Sequence, residues 1–214
     1  MLHPMCCNSN YFNNFIEYIK NNYTQSQYLK NIKFIFPNAP IINIDYPENK
    51  LYNINSWYNY YSCFNGINRI DKIDTKQFNN QCNRIVKIIN NEVKILNDYS
   101  KIYLGGVSQG GTLVCNILNK LEYSIGGIFC IKTIYMDKYI KLKKNNNKKI
   151  YIFSGELDNI YSLKLQKFTF DKLKKRNFKI KHTIIKNLDH YEITNYEHQF
   201  IIRNLLFSIN CNKL

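Results

Sequence analysis

A glycine-rich run, GVSQGG at residues 106–111, is the feature that most constrains the fold of this chain. The apolar residues Ile102, Tyr103 and Leu104 precede the run and predict a strand, whereas the residues from Gln109 onward predict a helix. A strand that turns into a helix through small residues is the βα unit of a parallel sheet. The run therefore favours an α/β fold with Ser108 at the carboxyl edge of the sheet.

Strand-like and helix-like segments alternate along the chain, as expected for a mostly parallel sheet with helices on both faces. Thr75 is the expected N-cap of the second helix, and residues 41–70 predict a long excursion with room for a short hairpin. No composition break separates the segments, so residues 1–214 are interpreted as one domain. We predict strands over 32–36, 101–107, 127–134, 149–154 and 179–186, and helices over 12–23, 75–98, 109–121, 162–176 and 193–209.

Cysteine usage and hydropathy indicate the cellular environment. The chain has 7 Cys without CxxC spacing, which favours reduced thiols over a disulfide framework or a zinc site. Cys6 and Cys7 could accept a lipid, although buried or free thiols are the simpler interpretation. The first residues lack the pattern of a signal peptide, and no apolar run approaches the roughly 20 residues that span a bilayer. We therefore expect a cytoplasmic protein.

The formal net charge of +15 raises the question of an anionic partner. Nucleic acid and an anionic membrane surface are the two functional interpretations. The lysines are spread thinly, however, and cluster only at 141–149 and 172–176, which predict a surface loop and the exposed end of a helix. We therefore expect no nucleic-acid binding and keep a membrane surface as a hypothesis.

A serine hydroxyl needs a base to take its proton and an acid to orient that base. In α/β-hydrolases these residues follow the serine in the order acid, then His. His190 follows a predicted strand on a loop at the carboxyl edge and is the predicted base. His182 is expected near the start of a strand and His198 within the last helix, so neither is expected to reach Ser108.

The predicted acid is Asp158, which directly follows the strand over 149–154 and therefore reaches the same edge. Asp189 is adjacent to the base, and neighbouring residues on an extended segment point apart. Glu156 and Asp137 remain alternatives. The competing interpretation of the whole run at 106–111 is a tight βα turn that only packs, or that binds a phosphate at the helix N-terminus.

An oxyanion hole would complete such a site. Its predicted donors are the backbone N–H groups of Gln109 and of Met5, the second from a loop near the start of the chain.

Five elements occur in an order that is typical of one family. They are the GVSQGG turn, FPNAP at 36–40, Ser-Trp-Tyr at 56–58, the Gly-x-x-Asp pattern at 155–158, and His190. Together they resemble the acyl-protein thioesterases of the phospholipase/carboxylesterase group of α/β-hydrolases. Trp57 is the only Trp in the chain, which makes the third match more specific than its length suggests.

The resemblance implies a triad of Ser108, His190 and Asp158, with Pro40 and Trp57 at the substrate-binding surface. It also implies hydrolysis, without metal or cofactor, of the thioester that links a fatty acyl chain to a protein cysteine. Some members cleave lysophospholipids or small esters. The expected partners are therefore S-acylated proteins or acyl-ester lipids, whereas the sequence does not indicate an oligomeric state.

Two departures from the family affect the start of the chain. The family opens with a strand that leads into Leu-His-Gly-Leu-Gly, whereas residues 1–7 read MLHPMCC. We therefore expect the first strand to be missing, and Pro4 replaces a Gly beside the oxyanion loop, where it removes an N–H. A catalytically weak or silent α/β-hydrolase-like binding protein is the main competing hypothesis, and a basic surface-binding module is a third.

Overall fold

The computed structural model describes residues 1–47, 49–64, 69–140, 149–176 and 178–211. The helices are α1 (Asn13–Asn22), α2 (Thr75–Leu96), α3 (Gln109–Lys120), α4 (Leu163–Lys174) and α5 (Asn195–Cys211), and the strands are β1 (Ile41–Ile44), β2 (Leu51–Asn55), β3 (Tyr103–Val107), β4 (Gly127–Ile131), β5 (Lys149–Gly155) and β6 (Lys179–Ile185). Strands β3 to β6 form a parallel sheet in sequence order, and β1 and β2 form a separate antiparallel hairpin within the predicted excursion. The predicted α/β architecture is confirmed.

The two central strands, β4 and β5, are buried along nearly their whole length because helices cover both faces of the sheet. Alternate side chains belong to two separate apolar clusters. One cluster, with Ile128 and Ile152, packs against α2, α3 and α4. The other, with Phe129 and Phe153, packs against α1 and α5. Because the four strands run parallel, the loops that follow their carboxyl ends lie along one shared edge.

Helix α2 shows the apolar stripe that its sequence predicts, with Phe78, Cys82, Ile85 and Ile89 buried. Its N-cap is Asp74 rather than the predicted Thr75, because the Asp74 side chain accepts a hydrogen bond from the Gln77 N–H. The helix ends at Leu96, two residues before the predicted end.

The predicted strand over residues 32–36 is not formed. This segment runs without strand pairing beside the start of the chain, where the Met1 ammonium donates to the Ile35 carbonyl at 2.8 Å. Leu2 in turn forms a single parallel bridge to Gly106 on the outer edge of β3. Leu2 is thus the only described residue that pairs with this edge of β3. A groove of about 550 Å³ with mostly apolar walls lies beside the rest of that edge.

Three smaller findings complete the comparison with the predicted elements. Strand β4 ends at Ile131 rather than at residue 134, because Lys132 adopts a positive φ of 45°. The basic cluster at 172–176 does form the exposed end of α4, whereas most of the predicted basic loop falls on residues 141–148, outside the described part of the chain. No helix in the described ranges has both the length and the apolar character needed to cross a membrane.

Candidate active site

Ser108 occupies the sharp turn between β3 and α3. Its backbone has φ 51° and ψ −120°, a conformation that costs a non-glycine residue of the order of 1–3 kcal/mol. Hydrogen bonds hold it there: its N–H donates to the Ile131 carbonyl at 2.9 Å, and its carbonyl accepts from the Thr133 hydroxyl at 2.8 Å. The end of β4 therefore holds the serine in its strained geometry.

The glycines around Ser108 are required by close backbone contacts. A Cβ at Gly106 would lie 2.4 Å from the Gly110 carbonyl oxygen, and a Cβ at Gly110 would lie 2.5 Å from the Leu2 carbonyl oxygen. Because backbone atoms cannot move aside as a side chain can, neither position accepts a larger residue without a shift of the turn. The small residues thus bring the start of the chain against the first turn of α3.

The structure brings the three predicted residues Ser108, His190 and Asp158 together. His190 Nε2 lies 2.9 Å from Ser108 Oγ, and His190 Nδ1 lies 2.9 Å from both carboxylate oxygens of Asp158. His190 is on the loop between β6 and α5, and Asp158 follows β5. The site therefore lies at the carboxyl edge, where parallel strands deliver their loops.

Asp158 is held by its own loop as well as by His190. Oδ1 accepts the backbone N–H groups of Ile160 at 3.0 Å and Tyr161 at 2.8 Å, and Oδ2 accepts Gln166 Nε2 at 3.1 Å. The residue is 4% exposed. These donors hold the carboxylate beside His190 Nδ1, and they compensate for its burial.

The alternative acids lie elsewhere. Asp189 accepts the N–H groups of Tyr191 and Glu192, both at 2.8 Å, and these bonds lower the pKa of its carboxyl. Glu156 is exposed and accepts the Asn187 N–H, and Asp137 pairs with Lys172.

The other two downstream histidines are also apart from Ser108. His182 is in the middle of β6 rather than near its start, and its Nε2 lies 2.8 Å from the Ser154 hydroxyl. His198 is in α5, buried against the rings of Phe15 and Tyr18. Burial lowers the pKa of both imidazoles.

The two predicted oxyanion donors lie on adjoining segments. Gln109 is the first residue of α3, so its N–H has no acceptor within the helix. Met5 lies in the turn of the N-terminal loop, and its N–H has no hydrogen-bond partner among the described residues. Because Leu2 and His3 abut Gly110, this loop is packed directly on the first turn of α3.

His3 holds the N-terminal loop in place. Its Nε2 accepts the Ala39 N–H at 2.9 Å, so Nδ1 carries the proton and donates to the Pro4 carbonyl at 2.7 Å. Burial lowers the pKa of this ring, which keeps it neutral. These bonds order the loop although Pro4 has no N–H to donate.

Trp57 lies behind the site and has no exposed surface. Its indole N–H donates to the His3 carbonyl at 2.8 Å, and its backbone N–H donates to Gln109 Oε1 at 2.9 Å. Gln109 Nε2 donates in turn to the Ser56 hydroxyl and the Tyr58 carbonyl. Trp57 therefore ties the N-terminal loop to α3, which is a supporting position rather than one that faces substrate.

Pro40, the other predicted substrate contact, is half-buried. Its carbonyl accepts the Ser56 N–H at 3.0 Å, so it belongs to the same supporting network.

Sequence reasoning missed a buried ion pair beside His190. Lys132 Nζ lies 3.6 Å from Glu197 Oε2, and the two side chains are 1% and 3% exposed. Lys132 also donates to the carbonyls of His190 and Glu192. The signal was present, because Lys132 interrupts an otherwise uncharged run from 126 to 136, and a buried lysine needs a partner.

A parallel sheet with a strained serine turn, a histidine and an acid at its carboxyl edge defines an α/β-hydrolase. Residues 19–206 match the phospholipase/carboxylesterase family, and the chain belongs to this family of serine hydrolases.

Individual relatives agree with the family. The chain is 29% identical over 133 residues to acyl-protein thioesterase 1 of Kluyveromyces lactis, a match that covers 59% of this chain and 54% of that protein. It is 27% identical over 163 residues to acyl-protein thioesterase 1 of Debaryomyces hansenii, covering 72% of this chain and 68% of that protein. The crystal structure of a variant of Arabidopsis thaliana SOBER1 superposes with a TM-score of 0.83 at 17% identity, covering 97% of each chain. At that identity the superposition supports the fold alone.

Proposed function

We propose that this protein is a serine hydrolase that cleaves acyl thioesters or esters, with S-acyl groups on protein cysteines as its main substrates. The observation that carries the proposal is the line of hydrogen bonds from Ser108 through His190 to Asp158, with distances of 2.9 Å at each step. A hydroxyl becomes a nucleophile when a base takes its proton and an acid orients the base. Family membership supports the same reaction class.

In the first half-reaction, Ser108 Oγ attacks the acyl carbonyl carbon while His190 Nε2 takes the hydroxyl proton. Asp158 stabilises the imidazolium through its bonds to Nδ1. The tetrahedral intermediate then collapses, the carbon–sulfur bond breaks, and His190 Nε2 gives its proton to the departing sulfur, so the thiol leaves, His190 is neutral again and the acyl chain remains on Ser108 as an ester. A thiol with an ordinary pKa of about 8.5 leaves readily, so this step needs little acid assistance.

In the second half-reaction, water attacks the acyl-Ser108 ester while His190 takes one of its protons. The fatty acid leaves, and His190 returns a proton to Ser108 Oγ. The backbone N–H groups of Gln109 and Met5 stabilise the negative oxygen of both intermediates. Neither half-reaction calls for a metal or an organic cofactor.

The substrate class rests on the names of the two relatives and on charge. Both relatives are called acyl-protein thioesterases. The net charge of +15 would favour a position near anionic membrane surfaces, where S-acylated proteins are held by their lipid. Binding to vesicles of phosphatidylcholine with and without phosphatidylserine, at low and high salt, measures this contribution.

The direct test uses a fluorophosphonate probe and a palmitoyl-thioester substrate. We expect the probe to label Ser108 and thiol to be released, and we expect Ser108→Ala to abolish labelling and to lower kcat by roughly 10⁴-fold or more. Cys6→Ser changes an exposed thiol in the N-terminal loop, next to Met5, and serves as the control. This variant should retain both probe labelling and thiol release.

Absence of labelling in folded wild-type protein would overturn the proposal. It would favour the hypothesis of a catalytically silent binding protein. That hypothesis is based on Pro4, which stands beside the proposed donor Met5.

A further inference from the structure

We propose that Lys132 is a positioning residue, which together with Glu197 holds the loop that carries His190. This inference rests on the function proposed above. It concerns a buried ion pair that the reaction scheme itself does not use. Lys132 follows β4, Glu197 lies in the first turn of α5, and the pair therefore connects the sheet to the helix on either side of that loop.

The ammonium group of Lys132 ends at the main chain of the loop that carries His190. Lys132 Nζ donates to the His190 carbonyl at 3.3 Å and also to the Glu192 carbonyl. Glu197 Oε2 lies 3.6 Å from the ammonium nitrogen, beyond hydrogen-bond distance, so the two side chains pair through charge alone. The lysine thus binds the main chain of the loop at and just beyond the base.

The loop that carries His190 is held from two sides. Asp189 accepts the N–H groups of Tyr191 and Glu192, whereas Lys132 binds carbonyls of His190 and Glu192. Without Lys132, the carbonyl side of the turn would lose its donor and the Asp189 bonds alone would hold the loop, so the loop would open more often. The ring of His190 would then be free to move relative to Ser108.

The buried pair of Lys132 and Glu197 carries an energetic cost. Burial of two charges is expensive, and apolar side chains of similar volume often stabilise a fold equally well. Burial raises the pKa of the Glu197 carboxyl, and Lys132 opposes that rise. Lys132 also sits at a positive φ of 45°, which is unfavourable for a long side chain. Because the pair carries these costs, its place beside His190 is better explained by a role in holding the loop than by a contribution to the stability of the fold.

The experiment compares Lys132→Met with a control variant that removes a different contact between α5 and the sheet. We expect Lys132→Met to lower kcat on a small ester by about 10- to 100-fold, with KM changed by less than about threefold, because a displacement near 1 Å has effects of this size. The rate of fluorophosphonate labelling should fall with kcat. Ser208→Ala is the control, since it removes a buried hydrogen bond between α5 and Tyr151 of β5 and should leave kcat unchanged.

The double variant Lys132→Met/Glu197→Met separates positioning from stability. We expect it to recover the urea midpoint that Lys132→Met loses, because no unpaired charge remains, but not to recover kcat. Recovery of midpoint and kcat together would show a structural role only and would overturn the proposal.

Hydrogen exchange separates this inference from the proposed function. In Lys132→Met, the amides of residues 190–193 should exchange faster than in Ser208→Ala, whether or not the protein is active. Absent labelling of wild type would count against the hydrolase. Unchanged exchange in Lys132→Met would overturn the positioning role.

Discussion

Ser108 shows how one residue's backbone sets the chemistry available to its side chain. With φ 51°, the chain reverses at the end of β3, and the hydroxyl is aimed at His190 Nε2, 2.9 Å away. The conformation is held by the Ile131 carbonyl and the Thr133 hydroxyl, both outside the turn itself. These contacts with the end of β4 offset the strain, so substitutions near that end should also change the geometry of Ser108.

The prediction at this scale concerns Gly106. In Gly106→Ala the new Cβ would meet backbone atoms of Gly110 and Gly111 at 2.4–2.6 Å. We expect a loss of more than about 2 kcal/mol in the free energy of unfolding, measured by urea titration, together with loss of Ser108 labelling.

Gly127→Ala is the matched control within the same sheet. Its Cβ would meet the Tyr151 ring at 3.2 Å, and a ring edge can shift where a backbone cannot. We expect a change within about 1 kcal/mol. Equal losses in the two variants would contradict the argument from backbone contact.

At the scale of elements, the site is an assembly of three segments that are distant in sequence. The N-terminal loop, the segment 56–58 and the start of α3 are joined by Trp57 and Gln109. Because the two proposed oxyanion donors lie on the first and last of these segments, their separation depends on the buried segment between them. Trp57, which has no exposed surface, therefore links the packing of the core to the loop that carries the proposed donor Met5.

The corresponding prediction is that Trp57→Phe lowers both stability and kcat. The variant removes the bond to the His3 carbonyl and leaves a void, which together should cost about 2–3 kcal/mol in the free energy of unfolding. We expect kcat on a small ester to fall several-fold because the loop that carries Met5 is released.

Tyr58→Phe is the control in the same segment. It removes buried hydroxyl bonds to Thr112 and Tyr60 without touching the N-terminal loop. It should lower stability by about 1 kcal/mol and leave kcat unchanged. A similar fall in kcat for both variants would show that the effect is general destabilisation.

The sequence was sufficient to predict which residues meet, because carboxyl ends of parallel strands share an edge and Ser108, Asp158 and His190 each follow a strand. It could not predict features that depend on tertiary contacts. Residues 32–36 have strand-like composition but no described strand pairs with them, and the start of the chain supplies only the Met1 ammonium bond to the Ile35 carbonyl. Asp74 rather than Thr75 caps α2 because both residue types suit the position and neighbouring geometry decides. The direction of the Lys132 side chain depends on a positive φ, which cannot be predicted from the residue type.

The whole molecule contains three partly or fully buried histidines outside the candidate triad, and these predict its response to acid. Burial lowers the pKa of His3, His182 and His198, in the case of His182 to about 4 from the ordinary 6.5. For a base whose pKa is lowered by folding, the unfolded chain binds more protons between the two values. The stability that these neutral histidines contribute should therefore be complete above pH 6.5, and the free energy of unfolding should decrease as the pH falls from 6.5 toward 4.

The variant His182→Gln tests the largest of these shifts. It should make this decrease smaller by about 1 kcal/mol, a value reduced to allow for the partial exposure of the ring. Ser154→Ala removes the hydroxyl bonded to the same ring but leaves the imidazole, so its stability should be lower at neutral pH while the dependence on pH persists. Urea titrations of the three proteins at pH 4.5, 5.5 and 7.5 distinguish the two effects, and a His182→Gln curve parallel to wild type would show that this ring does not contribute.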